Sequence, residues 1–418
     1  MSAPALPIGQ VDLTHAAARA TGVTELDRVL GGGLVPGAVV LVAGEPGIGK
    51  STLLLDVAAR RARAGGSVLY VSGEESAAQV RTRAERIDAM ASSLYLAAET
   101  DLGVVLGQVE RVQPDLLVID SIQTVASAQV EGQAGNISQV REVTASLIAV
   151  AKERGIAVLL VGHVTKDGAI AGPRALEHLV DVVVQFEGDR QSRLRLVRAV
   201  KNRYGPTDEV GCFDLSEAGI VSLTDPSGLF LGSREHTVAG TCVTVTLEGR
   251  RPLVAEVQAL VAASGPSSAR RTSSGLDAAR LAMIIAVLDK RAGAPVGSHD
   301  IFAATVGGVR LTEPAVDLAM VLALASSVMD RPLPRDLVAF GEVGLAGEIR
   351  RVSGIGRRLA EAVRMGFRFA LVPAGGLADA RVPDEIRAIE VADVADAIDC
   401  VGRIGRRRAV EATGALSP

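Results

Sequence analysis

The run Gly44-Glu45-Pro46-Gly47-Ile48-Gly49-Lys50-Ser51 has the spacing G-x-x-x-x-G-K-[ST] of a phosphate-binding P-loop. Glycines at 44, 47 and 49 let backbone N–H groups turn towards a polyphosphate, which then sits at a helix N-terminus. Lys50 has the charge and reach for the β- and γ-phosphates, and the Ser51 hydroxyl can ligate Mg²⁺. With Thr52, the run forms the candidate ATP site. The competing reading is a Gly-rich turn that binds nothing, and the flanks weigh against it. Residues 39–42 before it are apolar and mostly β-branched, while Leu53, Leu54, Val57 and Ala58 after it share one helical face.

Further chemistry-bearing residues stand at the ends of apolar runs. Asp120 closes Leu116-Leu117-Val118-Ile119, as an aspartate that holds Mg²⁺ through water would. The alternative, an aspartate that merely caps a turn, loses weight with a P-loop upstream. Glu74 and Glu75 follow the run ending at Val71. Either one of them deprotonates an attacking water, or both belong to a solvated loop. His163 ends another such run and either hydrogen-bonds a γ-phosphate or is a partly buried, satisfied histidine. Lys201 and Arg203, two apart on a strand, point the same way just before Gly205-Pro206. They read as a solvated edge pair or as a cationic finger reaching a neighbouring subunit's γ-phosphate. Two glycine-containing loops, 126–136 and 166–174 (with Lys166 and Arg174 at its ends), suit contact with a polyanion backbone. Both are short of aromatics, so base stacking is not expected.

The elements that must position these groups alternate. Strands are expected at 68–71, 116–120 and 156–161, and helices at 79–90 and 139–152. This predicts an α/β fold with a parallel sheet and helices on both faces. Ligands on such sheets bind beyond the carboxyl ends of the strands, where the polar residues stand. Thr24 is expected to cap a short helix that stops in Gly31-Gly32-Gly33. Residues 182–200 have hairpin grammar. After the turn-rich run Thr224-Asp225-Pro226-Ser227-Gly228 the pattern changes. A strand pair is expected at 242–247 and 253–260, a Ser- and Arg-bearing exposed loop at 264–275, helices at 276–290 and 313–328, and strands near Val338 and Phe369. That is a separate α+β domain. The expected organisation is a flexible lead-in at 1–20, a P-loop ATPase domain at 21–225, a linker at 226–236, an α+β domain at 237–410 and a tail at 411–418.

Composition narrows the classes. The 418 residues suit two or three domains. The net charge of -4 offers no global basic field, so any polyanion site must be local. Cys212, Cys242 and Cys400 are isolated, which argues against a zinc site or a disulfide framework and for a reducing compartment. No signal peptide pattern is evident, and no run of about eighteen apolar residues suggests a membrane span. A soluble cytoplasmic protein without membrane contact is expected.

The runs GEPGIGKST, VLYVSGEES, LLVIDSIQT, VGHVTKDGAIAGPRALEHLVD and AVKNRYG together resemble the RadA (Sms) family of bacterial DNA repair proteins. Their KNRYG is similar to that family's K-N-R-F-G motif, with Tyr204 in the Phe place. The resemblance covers nearly the whole chain. It implies a RecA-like ATPase core that binds ATP and Mg²⁺ and assembles as a homo-hexameric ring on single-stranded DNA. It further implies branch migration of recombination intermediates, in company with the RecA recombinase. By the same resemblance Glu74 takes the catalytic glutamate place and His163 the γ-phosphate-sensing place. Lys166 and Arg174 then bound a DNA-binding loop, and Lys201 and Arg203 form the trans-acting finger. The family ordinarily begins with a zinc finger, for which this sequence has no cysteines, so no zinc is expected. The second half resembles the proteolytic domain of Lon, in which a serine is activated by a lysine. Here Ala315 stands in the serine place and Gly356 in the lysine place, so no peptidase activity is expected. The domain is expected instead to build the ring and offer a DNA surface, with Arg350, Arg351, Arg357 and Arg358 as a possible basic patch. Two other readings remain open: an ATP-dependent peptidase with an unconventional nucleophile, and a nucleotide-switched DNA-binding scaffold.

Overall fold

A computed structural model describes residues 7–8, 17–163, 175–188, 193–216, 219–231, 237–264 and 269–414. The chain forms two compact units, Met1–Thr224 and Asp225–Pro418.

The first unit is a mixed sheet with a parallel heart. Its strands are β1 (Val39–Gly44), β2 (Val68–Ser72), β3 (Leu94–Ala98), β4 (Leu116–Asp120), β5 (Ala157–His163), β6 (Val182–Glu187), β7 (Leu194–Asn202), β8 (Val210–Ser216) and β9 (Gly219–Ser222). Their order is β3-β2-β4-β5-β1-β6-β7-β8-β9. Pairing is parallel up to β6 and antiparallel from β6 to β9. The helices are α1 (Thr24–Leu30), α2 (Lys50–Arg63), α3 (Ala77–Arg86), α4 (Leu102–Val112) and α5 (Ile137–Arg154).

Strand periodicity divides the core in two. Val40, Val42, Val68, Tyr70, Leu116 and Val118 join one apolar layer with α1, α2 and α3. Their alternate neighbours Val39, Leu41, Leu69, Val71, Leu117 and Ile119 join the other, with α4 and α5. A fully buried Val or Leu contributes about 1.5–3 kcal/mol, against ~0.3–0.5 kcal/mol for an exposed helical pair such as Arg81–Glu85. The two apolar layers therefore hold the sheet, and the ion pairs decorate it.

Two local expectations change. Thr24 is the first residue inside α1, with Val23 at the cap position and no side-chain cap. The turn is closed one step earlier, where the Thr21 hydroxyl accepts from Val23 N and Asp27 Oδ1 accepts from Thr21 N. Helix α3 begins two residues before the expected start, because Ser76 and Gln79 make a reciprocal capping box.

The second unit carries β10 (Thr241–Glu248), β11 (Arg251–Ala263), β12 (Arg271–Ser274), β13 (His299–Thr305), β14 (Leu337–Ala339), β15 (Glu342–Val343), β16 (Ile349–Arg350), β17 (Phe369–Pro373) and β18 (Arg387–Val391). The main sheet runs β12-β13-β11-β10-β14-β17-β18, with β15 and β16 as a separate pair. The helices are α6 (Ala278–Arg291), α7 (Asp317–Val328), α8 (Ile355–Arg364) and α9 (Val394–Gly414). Helix α7 is apolar on all sides and buried over ten successive residues from Asp317, as a central helix must be. The stretch expected as an exposed loop at 264–275 contains β12, an edge strand parallel to β13. Edge exposure on both faces is why it lacks an apolar alternation.

Candidate nucleotide site

Register brings the expected groups to one edge. Gly44 at the end of β1 pairs with His163 at the end of β5, and Ser72 at the end of β2 pairs with Asp120 at the end of β4. Because β4 lies beside β5 and β5 beside β1, Asp120, His163 and the P-loop stand side by side at the carboxyl ends of the parallel strands.

The P-loop backbone is built for close approach. Gly47 and Gly49 have φ values of 77° and 113°, conformations that a side chain would strain, and a Cβ at Gly47 would meet nothing within 4 Å. Gly49 caps α2 without any side-chain bond, so the first N–H groups of that helix are free for an anion. Glu45 and Pro46 are exposed and Ile48 is buried, while Ser51 and Thr52 at the helix start are half-buried. Lys50 is 3 % exposed and its Nζ donates to the carbonyls of Gly44 and Glu45, each at 2.8 Å. Burial pulls the ammonium down to about 8, although Asp120, Glu74 and Glu45 favour its charged form. A phosphate in the loop would supply the anionic partner that this buried cation lacks.

The two adjacent glutamates have different surroundings. Glu75 is ion-paired with Arg83 on α3, and its backbone is tied to the Ser72 hydroxyl. Glu74 turns to the strand ends instead. Its Oε1 accepts from the Ser121 hydroxyl at 2.5 Å and lies 2.9 Å from His163 Nε2. Gly73 makes this turn possible, since a Cβ there would lie 2.0 Å from Thr124 Oγ1. His163 Nδ1 and Gln123 Oε1 are shut off from solvent and have no partner among the described residues, although Gln123 Nε2 reaches the His163 carbonyl at 3.3 Å.

Asp120 is 6 % exposed, and its Oδ2 accepts a 2.6 Å hydrogen bond from the Tyr70 hydroxyl. Burial and the Asp120 charge push that phenol well above its ordinary range, so it stays a donor. Ser51 and Asp120 are the residues suited to Mg²⁺, a cation bound through one or two protein oxygens, waters and substrate phosphates. Accordingly, no cluster of three or more His, Cys, Asp or Glu side chains is needed, and none occurs among the described residues.

Lys201 and Arg203 both turn to the segment before β6. Lys201 Nζ donates to the carbonyls of Glu177 and Val180 at 2.8 Å. Arg203 lies just beyond β7 and pairs with Asp181 at 3.1 Å, its own side chain 53 % exposed. Asp181 in turn accepts from Val39 N, at the start of β1. The same motif grips α1: Asn202 Nδ2 donates to the carbonyls of Val29 and Leu30, and Gly205 lies so close to Gly31 that a Cβ would sit 3.0 Å from its Cα. Neither cation bonds to the P-loop or to Glu74. Lys166 and Arg174 lie outside the described residues. The other glycine-containing loop, 126–136, is held down by the buried Gln139, which bonds the backbone of Ser127, Val130 and Gly132.

Sequence reasoning overlooked Tyr70, Ser121, Asp181 and Arg195. The last is 5 % exposed and its Nε donates to the P-loop carbonyl of Ile48 at 3.2 Å, from a strand position 147 residues downstream. No local signal marks such a residue, since an arginine in a strand reads as an outward-facing charge.

In the second unit, Arg358 overturns part of the basic patch. It is 0 % exposed, ion-paired with Glu313 and bonded to the carbonyls of Val245 and Ser353. Glu313 also accepts from the Thr246 hydroxyl and Leu247 N. Arg350 pairs with Glu348 and Glu342, and Arg357 bonds the Arg250 carbonyl. Ala315 is buried, and Gly356 is the second residue of α8, where a Cβ would lie 3.4 Å from the Arg381 carbonyl oxygen.

Comparison with known proteins agrees with both units. Residues 8–169 match the family model described as an AAA domain, and residues 302–403 match that of the Lon protease (S16) C-terminal proteolytic domain. The chain is 56 % identical over 390 residues to the DNA repair protein RadA of Mycobacterium tuberculosis (strain ATCC 25618 / H37Rv), covering 93 % of this chain and 81 % of that one. Identity to the RadA of Mycolicibacterium smegmatis is 56 % over 379 residues, covering 90 % and 81 %. With that of Streptococcus pneumoniae (strain ATCC BAA-255 / R6) it is 50 % over 371 residues, covering 89 % and 88 %.

Proposed function

Since this chain belongs to the RadA family of DNA repair proteins, we propose that it is a DNA-dependent ATPase of homologous recombination. In this reading it forms a hexameric ring on single-stranded DNA and promotes branch migration of recombination intermediates beside the RecA recombinase. The observation that carries the ATPase part is the convergence of Lys50, Asp120, Glu74 and His163 on one sheet edge around the P-loop. The phosphates lie along the N–H groups of residues 47–52, and Lys50 exchanges its loop carbonyls for phosphate oxygens. Ser51 and Asp120 would hold Mg²⁺, whose charge would offset that of the phosphates. Glu74 orients the attacking water and takes its proton. His163, sharing Glu74 Oε1 with Ser121, couples the state of that carboxylate to the segment following β5, where Lys166 and Arg174 contact DNA. Arg203, with Lys201 behind it, meets the nucleotide of the adjacent subunit.

The test pairs a variant with a ligand. Lys50→Ala should reduce ATP hydrolysis to background, and single-stranded oligonucleotide should stimulate the unmodified protein in a salt-sensitive way. ATP turnover indifferent to oligonucleotide would leave an ATPase but not a DNA motor. Degradation of casein on addition of ATP would revive the peptidase reading.

A further inference from the structure

The Asp120 carboxylate has a single donor among the described residues, the Tyr70 hydroxyl. Lys50 is near enough to feel its charge but spends its hydrogen bonds on Gly44 and Glu45. The carboxylate torsion of an aspartate is soft and roughly two-fold, so an undirected Asp120 would present its oxygens over a wide arc. A donor fixed at Oδ2 sets the carboxylate plane and leaves Oδ1 for a further ligand. Tyr70 is well suited to be that fixed donor. It is 1 % exposed and belongs to the apolar layer beneath α2, opposite Val118 on the neighbouring strand. Apolar packing alone would be served by phenylalanine. The hydroxyl is the one part of the side chain that the core does not require.

We propose that Tyr70 is a positioning residue for magnesium-dependent nucleotide binding, aiming the Asp120 carboxylate by a hydrogen bond to Oδ2. This rests on the reading of Asp120 as a Mg²⁺-holding group. Tyr70→Phe removes one oxygen and keeps the ring. The full chain would be titrated with Mg²⁺ while binding of a fluorescent ATP analogue is followed, and its affinity for the analogue measured separately in EDTA. The Mg²⁺ midpoint should rise about tenfold, in keeping with loss of one hydrogen bond to a charged group, while affinity in EDTA stays unchanged. In an Asp120→Asn background the same substitution should shift the midpoint no further. An unchanged midpoint in Tyr70→Phe overturns the proposal, and so does an equal loss of affinity with and without Mg²⁺, which would mark a purely structural role. Binding by the unmodified protein that ignores Mg²⁺ would defeat the underlying reading of Asp120 instead.

Discussion

At the scale of single residues, two adjacent glutamates differ in what they touch. Glu75 is neutralised by Arg83, so losing its charge would disturb an ion pair and a loop. Glu74 shares the strand ends with Ser121 and His163, where a general base belongs. Glu74→Gln should lower kcat for ATP by about 10²–10⁴-fold with nucleotide affinity retained. Glu75→Gln should change kcat less than about threefold and show itself mainly as a small loss of stability. Steady-state kinetics on the two variants side by side checks this. If the two variants lose turnover equally, the assignment of Glu74 fails. Both glutamates were visible in the sequence as candidates. The residues alone left both open and the family resemblance pointed to Glu74; the structure adds that Glu75 is paired with Arg83, eight residues further on.

At the scale of elements, an internal ion pair ties the parts of the second unit together. Arg358 on α8 and Glu313 ahead of α7 join β10 through Val245, Thr246 and Leu247. Removing Glu313 leaves the buried Arg358 charge without its carboxylate, at a cost of about 3–5 kcal/mol. Glu313→Leu should therefore lower the unfolding midpoint of this unit sharply, whereas the double change Arg358→Met with Glu313→Leu should recover much of the loss. Denaturant unfolding of the three proteins measures it, and additive losses would show that the pair does not act as a unit. Strand β10 also carries Cys242, whose thiol burial pushes far above its ordinary 9.0, with Glu256 adding to the shift. A folded-state value raised in this way gives stability that is complete below pH 9 and is lost as pH rises beyond it, because only the unfolded thiol then ionises. Unfolding at pH 8 and pH 10 should show a fall of up to about 1.4 kcal/mol per pH unit from this group. Cys242→Ala should lack that portion, and an identical alkaline loss in both proteins would rule it out.

At the scale of the whole molecule, a near-neutral chain with two units must concentrate its polyanion chemistry in local sites. In the proposed assembly Arg203 is the finger offered to a neighbour, and in the single chain it is half-exposed and anchored by the buried Asp181. Arg203→Ala should keep nucleotide binding within about threefold, because the P-loop does not depend on it, yet abolish turnover. Mixing it with Lys50→Ala should restore part of the activity, since mixed seams pair an intact P-loop with an intact finger. Mixtures that remain inactive would count against a shared site. The P-loop, the strand-end Asp120 and the α/β rhythm were legible from the sequence because each is a local pattern: a glycine spacing, an apolar run ended by a charge, a period. The contacts made within KNRYG were not, since Lys201, Asn202 and Gly205 meet 177–180, 29–30 and Gly31, which only the folded chain brings near. Nor could spacing reveal Tyr70 beneath Asp120, Arg195 behind the P-loop or Arg358 in the interior. Local sequence determines which backbone forms and which residue types are available. Hydrogen bonds across strands join residues 50 to about 150 positions apart, and tertiary packing alone decides which charge faces water, which one is neutralised and which one is aimed at the site.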